Sequence, residues 1–477
     1  MDIEISKINE THVRVKCESG IAQELSDAFT FTVPNYRFTP AYRDGRWDGK
    51  IRMFDRRRGQ ISAGLVPKII DFAKTNGYQV SGFQGQTLDV PEIAQIEAWA
   101  GTLGTPGIIP RDYQIAALRS ILELGGRGII LSATGSGKSF SIYLLFRYFN
   151  KKTLLIVPTV GLVKQMYSDL RSYGYTEPIN VIHADAKQVK GAQITIATWQ
   201  SIFRKSKSWF AEYETVIGDE VHTFRANSLV TLMDKCENAS ARIGLSGTLD
   251  DSKISELTLI GLFGTIKTVA TTADLIQKKI LSNLNIQCLL IDYSDKEKKE
   301  KRPYRKEIDF LVLNKRRNAI ICNLVSKLKG NTLVLFQYVE KHGKELCQLM
   351  KRYTNRPVYY ISGEISAEER EEIRKKIDNE EDAILIASSG TTSTGLNIVS
   401  LKNIVFTSPS KAKIKTLQSI GRVLRRSERK TTATLWDIAD DLVWKSRKNH
   451  TYKHFLERLA IYSRESFSYK VHKINIR

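Results

Sequence analysis

At 477 residues the chain is too long for one compact core and has room for about three domains of ordinary size. Hydrophobic residues at 42% and charged residues at 26% are globular values, which exclude a disordered or fibrous chain. The 73 Lys and Arg against 51 Asp and Glu give a net charge of +22, which points to a polyanionic partner, nucleic acid ahead of other anionic surfaces.

The N-terminus opens Met1-Asp2-Ile3-Glu4-Ile5 without a basic region leading into an apolar one. No apolar run approaches the roughly 18 residues of a membrane span. The expectation is a protein of the cytoplasm, the host cytoplasm if phage-encoded, with no membrane contact. The five cysteines, at 17, 236, 288, 322 and 347, form no close pair, so neither a zinc site nor a disulfide framework is indicated.

Residues 1–88 carry short β-rich runs such as Thr11-His12-Val13-Arg14-Val15 and read as a small α+β nucleic-acid-binding module. Within it Phe38, Tyr42, Trp47 and Phe54 interleave with Arg37, Arg43, Arg46, Lys50, Arg52, Arg56, Arg57 and Arg58. The rings are read as core filling and the basic side chains, Arg56 to Arg58 above all, as phosphate contacts; stacking of the rings on bases is the alternative. A connection rich in Gly, Thr and Pro follows at 101–107.

From there short apolar strands alternate with helical patterns, the signature of βα units and parallel sheets. The first series is Gly128–Leu131, Thr153–Val157, Ile194–Ala197 and Thr215–Gly218; the second is Thr332–Phe336, Ala383–Ala387 and Asn403–Phe406. The fold class expected is α/β, two tandem parallel-sheet domains over 89–272 and 273–444, after the N-terminal module and before a basic helical extension at 445–477. That extension holds nine Lys and Arg against two Glu and reads either as a phosphate contact or as a solvated tail. The charged run Asp295 to Arg302 reads as a solvated helix or insertion. His450 and His454 stand at a helical spacing a metal could use, but no further ligand joins them.

Ser132-Ala133-Thr134-Gly135-Ser136-Gly137-Lys138-Ser139 lies between a strand and a helix, the context a phosphate-binding loop requires. Backbone N–H groups around Thr134, Gly135, Ser136 and Gly137 can wrap phosphates, Lys138 can reach the β and γ oxygens, and Ser139 can hold Mg²⁺. About eighty residues on, Asp219-Glu220-Val221-His222 ends a strand. Asp219 suits Mg²⁺ coordination and Glu220 suits deprotonating an attacking water.

In this order the motifs resemble those of superfamily-two helicases. The resemblance implies two RecA-like domains with ATP and Mg²⁺ as cofactors. Arg111-Asp112-Tyr113-Gln114 resembles the element whose glutamine, here Gln114, reads adenine. Segments around Pro158, Thr159 and Gln165, and around Thr198 and Gln200, resemble those that grip the nucleic-acid backbone. Ser246-Gly247-Thr248, with His222, resembles the machinery that couples hydrolysis to domain movement. In the second domain the run containing Gly395 and Asn397 resembles a nucleotide-contacting motif, with Asn397 where many relatives carry an acid. Gln418, Arg422 and Arg425 resemble the motif whose arginines reach the γ-phosphate, a role a guanidinium fork suits because the transition state spreads negative charge.

The stretch Pro40 to Lys50 ahead of such a motor is similar to that of the phage recombination helicases of the UvsW family. The likeness implies 3′ to 5′ unwinding and branch migration of forks, Holliday junctions, D-loops and R-loops in recombination, repair and replication. It implies double- and single-stranded DNA as partner, recombination and single-strand-binding proteins as candidate partners, and action as a monomer. Rival readings are an RNA helicase, a duplex translocase subunit of a larger complex, and a non-enzymatic nucleotide-sensing binder; Lys138, Asp219, Glu220, Arg422 and Arg425 together oppose the last.

Overall fold

A computed structural model describes the chain except residues 1, 106, 183–188, 225, 250–251, 394–397, 399, 409–419, 422–423, 425–431 and 477. It divides into two compact units, residues 1–132 with 137–269, and 133–136 with 270–477.

The N-terminal strands β1 (Ile3–Lys7), β2 (His12–Cys17), β3 (Thr30–Thr32), β4 (Lys50–Arg52), β5 (Phe54–Asp55), β6 (Gln60–Ser62) and β7 (Val80–Gly82) make a sheet ordered β5-β6-β2-β1-β7 and a separate β3-β4 ribbon. Burial alternates along β1 and β2 because only one face of this sheet is covered. Ile3, Ile5, Val13, Val15, Phe54 and Ile61 turn inward and meet Leu257 and Ile260 from the helix Lys253–Phe263. The module therefore shares its core with the element that follows Ser246-Gly247-Thr248. Gly64 allows that approach, since a Cβ there would lie 2.0 Å from the Ile260 carbonyl oxygen.

The first parallel sheet comprises β8 (Arg127–Ser132), β9 (Thr153–Val157), β10 (Ile179–Ile182), β11 (Ile194–Thr198), β12 (Thr215–Asp219), β13 (Ala241–Ser246) and β14 (Thr265–Ala270), ordered β10-β11-β9-β12-β13-β8-β14. Strands β9, β11, β12 and β13 are buried at every position, because helices cover both faces. Their sequences accordingly run continuously apolar instead of alternating. The expected strands coincide with these to within a residue or two.

The second sheet holds β15 (Asn283–Asp292), β16 (Thr332–Phe336), β17 (Val358–Ile361), β18 (Ile384–Ser388), β19 (Asn403–Phe406), β20 (Thr432–Asp441) and β21 (Tyr469–Asn475), ordered β17-β18-β16-β19-β20-β15-β21 and parallel throughout. Residues 445–477 contain the expected helix, His450–Arg464, but end in β21, which pairs with β15 and joins the sheet. Their basic side chains are partly committed inside the unit. Arg458, 2% exposed, donates to the Asp437 carboxylate at 2.7 and 2.8 Å, and Lys473 pairs with Asp292 and Asp441. A buried carboxylate on a central strand needs such a partner, and that need takes Arg458 away from any phosphate. A second buried pair, Arg317 with Asp440, fixes the helix Lys315–Lys327 on the same strand. The run from Asp295 forms a short helix, Asp295–Lys299, in which Lys298 turns back to Asp292. His450 and His454 both pack on the Tyr304 ring.

His342 is fully buried, and its Nε2 has no hydrogen-bond partner among the described residues. Burial, reinforced by the nearby Arg317 charge, holds the imidazole down at about 3, below its ordinary 6.5. The unfolded chain takes up this proton near pH 6.5 and the folded chain does not. The stability involved is thus complete above that pH and is lost as the pH falls toward 3. The variant His342→Met should flatten the acid side of the stability curve by up to about 1.4 kcal/mol per pH unit. Hydrogen exchange of β16 and β19 across that range measures it; an unchanged slope would refute the assignment.

Candidate active site

In the first sheet the hydrogen-bond register brings the carboxyl ends of five strands level. Thr198 lies beside Val157, Gly218 beside Ile156, Asp219 beside Leu245, and Ser246 beside Leu131. Motifs spread over more than a hundred residues thereby share one edge, the position where open parallel sheets bind ligands.

At that edge β8 turns into the helix Lys138–Phe149 through Gly137, whose φ of +82° is a left-handed conformation that glycine adopts without strain. The helix N-terminus presents the unsatisfied N–H groups and positive dipole end that an anion seeks. The Gln114 side chain braces this turn: its Oε1 accepts from the Arg111 N–H at 2.9 Å and its Nε2 donates to the Gly137 carbonyl at 3.2 Å. Gln114 is 4% exposed, so in this state the amide expected to read adenine is tied to the phosphate loop.

Lys138 reaches toward β12, placing Nζ 3.8 Å from the Glu220 carboxylate. Glu220 has a φ of +50°, rare for a residue with a side chain and costing about 1 kcal/mol, a strain that functional sites commonly hold. Its other oxygen lies 3.4 Å from both His222 Nδ1 and Ser246 Oγ. His222 Nδ1 is 3.2 Å from Ser246 Oγ, which donates to the Thr248 carbonyl at 2.8 Å. The residues expected to couple hydrolysis to movement therefore form one network with the expected base.

The two carboxyls are shifted in opposite directions. Burial and the adjacent Glu220 charge push Asp219 up to about 7. Burial also opposes ionisation of Glu220, but Lys138 and His222 outweigh it and hold the group down at about 2. Among the described residues no ion pair engages Asp219, and a carboxylate with a hydroxyl such as Ser139 is a donor set suited to Mg²⁺. No group of three His, Cys, Asp or Glu among the described residues could hold a metal alone. Magnesium commonly relies on one or two carboxylates plus phosphate oxygens, so the residues present fit it.

Pro158 and Thr159 follow β9, where Thr159 caps the helix Val160–Ser172 by accepting from the Leu162 N–H, and Gln165 is exposed on that helix. Gln200 is exposed after β11, whereas Thr198 is 3% exposed with its hydroxyl bonded to Ser201. Arg56, Arg57 and Arg58 are exposed on the β5-β6 turn, where Asp55 accepts the N–H groups of Arg57 and Arg58. The reading of the neighbouring rings as core holds for Phe54, at 2% exposed, and fails for Phe38, at 72%. Phe38 sits in a 3₁₀ turn on the loop between the β3 and β4 strands of the two-stranded ribbon, outside the five-stranded sheet. Gly395, Asn397, Gln418, Arg422 and Arg425 lie outside the described residues. Motif reading missed Tyr173, whose Oη is 2.7 Å from Ser139 Oγ. It stands 34 residues from its partner and carries no local signal.

Three family descriptions match along the chain: the N-terminal domain of DNA helicase UvsW over residues 2–82, the res subunit of type III restriction enzymes over 107–251, and the conserved C-terminal helicase domain over 316–427. The ATP-dependent DNA helicase uvsW of Enterobacteria phage T4 is 32% identical, with 100% of each chain covered. The DNA 3′-5′ translocase XPB2 of Sulfurisphaera tokodaii is 26% identical over 67% of this chain and 79% of its own. Among solved structures, T4 UvsW aligns over all of both chains with a TM-score of 0.53 and 31% identity. With this full-length likeness and a phosphate loop, acidic strand end and coupling network on one sheet edge, the chain belongs to the UvsW family of ATP-dependent DNA helicases.

Proposed function

We propose that the chain is a 3′ to 5′ motor that unwinds and branch-migrates forks, Holliday junctions, D-loops and R-loops, with ATP hydrolysis driving each step. The observation that carries the ATP half is the Lys138-Glu220-His222-Ser246 network on the carboxyl edge. Lys138 meets the phosphates and Glu220, ionised and aimed by Lys138 and His222, accepts a proton from the attacking water. Ser139 and Asp219 would hold Mg²⁺, which when bound would supply positive charge to the transferring phosphoryl group. Loss of the γ-phosphate changes what Glu220 faces, and Ser246 passes that change to Thr248 and the helix beyond. Arg422 and Arg425, with Gln418 in the same motif, supply positive charge from the second RecA-like domain, and Gly395 and Asn397 contribute nucleotide contacts. Pro158, Thr159, Gln165, Thr198 and Gln200 track one strand of DNA, Thr198 through its backbone.

The DNA half rests on the N-terminal module: exposed Arg56, Arg57 and Arg58 suit phosphates, and exposed Phe38 suits an unstacked base at a branch point. The motor works as a monomer in the cytoplasm, the host's if the chain is phage-encoded, alongside recombination and single-strand-binding proteins.

The deciding experiment measures ATP hydrolysis without nucleic acid and with single-stranded DNA, duplex, a four-way junction and RNA, alongside strand separation of the junction. Stimulation by junction DNA with ATP-dependent separation is expected. Preferential stimulation by RNA, or hydrolysis without separation, would replace this reading with the RNA helicase or the duplex translocase. Glu220→Gln should keep nucleotide binding and lower turnover by about 10² or more, and undiminished turnover would remove Glu220 as the base. Replacing Arg56, Arg57 and Arg58 together by Ala should shrink the slope of log affinity against log salt by about 0.9 for each phosphate no longer neutralised, with Phe38→Ala weakening junction binding at unchanged slope. A triple variant with the parental slope would return that turn to a purely structural role.

A further inference from the structure

We infer that Tyr173 is a positioning residue for the metal-binding hydroxyl of Ser139, an inference that rests on the reading of Ser139 as a Mg²⁺ ligand. Tyr173 Oη and Ser139 Oγ are 2.7 Å apart, and either can donate. The Tyr173 ring is wedged against the helix that Lys138 opens: it meets Phe140 edge-on with centroids 5.0 Å apart and Tyr143 at 5.5 Å. Its hydroxyl is thus delivered to Ser139 by packing, with little rotamer freedom left to lose.

The chemistry gives this contact a purpose. A serine hydroxyl that ligates a cation uses an oxygen lone pair, and its proton must point elsewhere, toward an acceptor. With Tyr173 Oη accepting that proton, the Ser139 lone pairs are turned away from the tyrosine. Without it, the hydroxyl rotates among three staggered positions and is aligned only at an entropic cost when the ion arrives. Ordering of a ligand by an outer hydrogen bond is the usual way proteins tune a metal site.

The test uses full-length chain and equilibrium binding of a fluorescent ADP analogue while Mg²⁺ is titrated, so that no turnover is required. Tyr173→Phe keeps the ring contacts and removes only the hydroxyl. The Mg²⁺ concentration at half-maximal tightening of nucleotide should rise about tenfold, the scale on which removing an outer partner weakens a metal site. Affinity without Mg²⁺ and the thermal midpoint should stay at the parental values, and a merely structural role would move those instead. An unchanged or lowered Mg²⁺ midpoint in Tyr173→Phe overturns the inference. Ser139→Ala, measured in parallel, should abolish the Mg²⁺-dependent tightening. If Ser139→Ala keeps it, the reading of Ser139 as ligand has failed; if only Tyr173→Phe is silent, the positioning role alone has failed.

Discussion

Two adjacent carboxyls, Asp219 and Glu220, are driven to the end of a fully buried strand with one ammonium among the described residues, Lys138, within reach. Two bare carboxylates this close in a desolvated site cannot both be ionised cheaply, and the structure resolves the conflict by dividing them. Glu220 takes the lysine and His222 and stays charged, while Asp219 is left protonatable. Lys138 is thereby held against Glu220 by charge pairing at the strand end before any anion arrives.

That pairing depends on strand register. Lys138 and Glu220 are far apart in sequence, and they meet because β12 and β13 run level and β13 runs level with β8. A slip of one residue would turn Asp219 to the opposite face of the sheet. The continuous burial of β12 and β13 prevents the slip, so the same apolar packing that stabilises the first parallel domain also sets the catalytic distances. The helix Lys253–Phe263 extends the dependence to the N-terminal module, whose core it completes. The same module carries Phe38 and the three arginines on its exposed surface.

The parallel sheets were legible because strands covered on both faces must be apolar without interruption, a pattern few other segments share. The phosphate loop and the Asp219-Glu220 pair were legible because their chemistry is local in sequence. What escaped had physical reasons. β21 reads as part of a basic helical extension because it is an edge strand, where lysines discourage further pairing. Arg458 reads as a phosphate contact because its partner Asp437 lies 21 residues upstream, and charge counting does not separate a buried cation from a solvated one. Phe38 reads as core because hydrophobicity alone does not tell a ring that closes a sheet from one that crowns a loop.

Tyr173 belongs to the same class of hidden residue, and its place explains why motif-based description of such motors is incomplete. It follows directly on the helix Val160–Ser172, which Thr159 caps at its other end. One helix is thus capped by Thr159 at its start and followed at its finish by the Tyr173 hydroxyl that meets Ser139. The Thr159 cap and the Tyr173 contact to Ser139 are thereby tied to one helix, independently of the strand register that aligns Lys138 with Glu220.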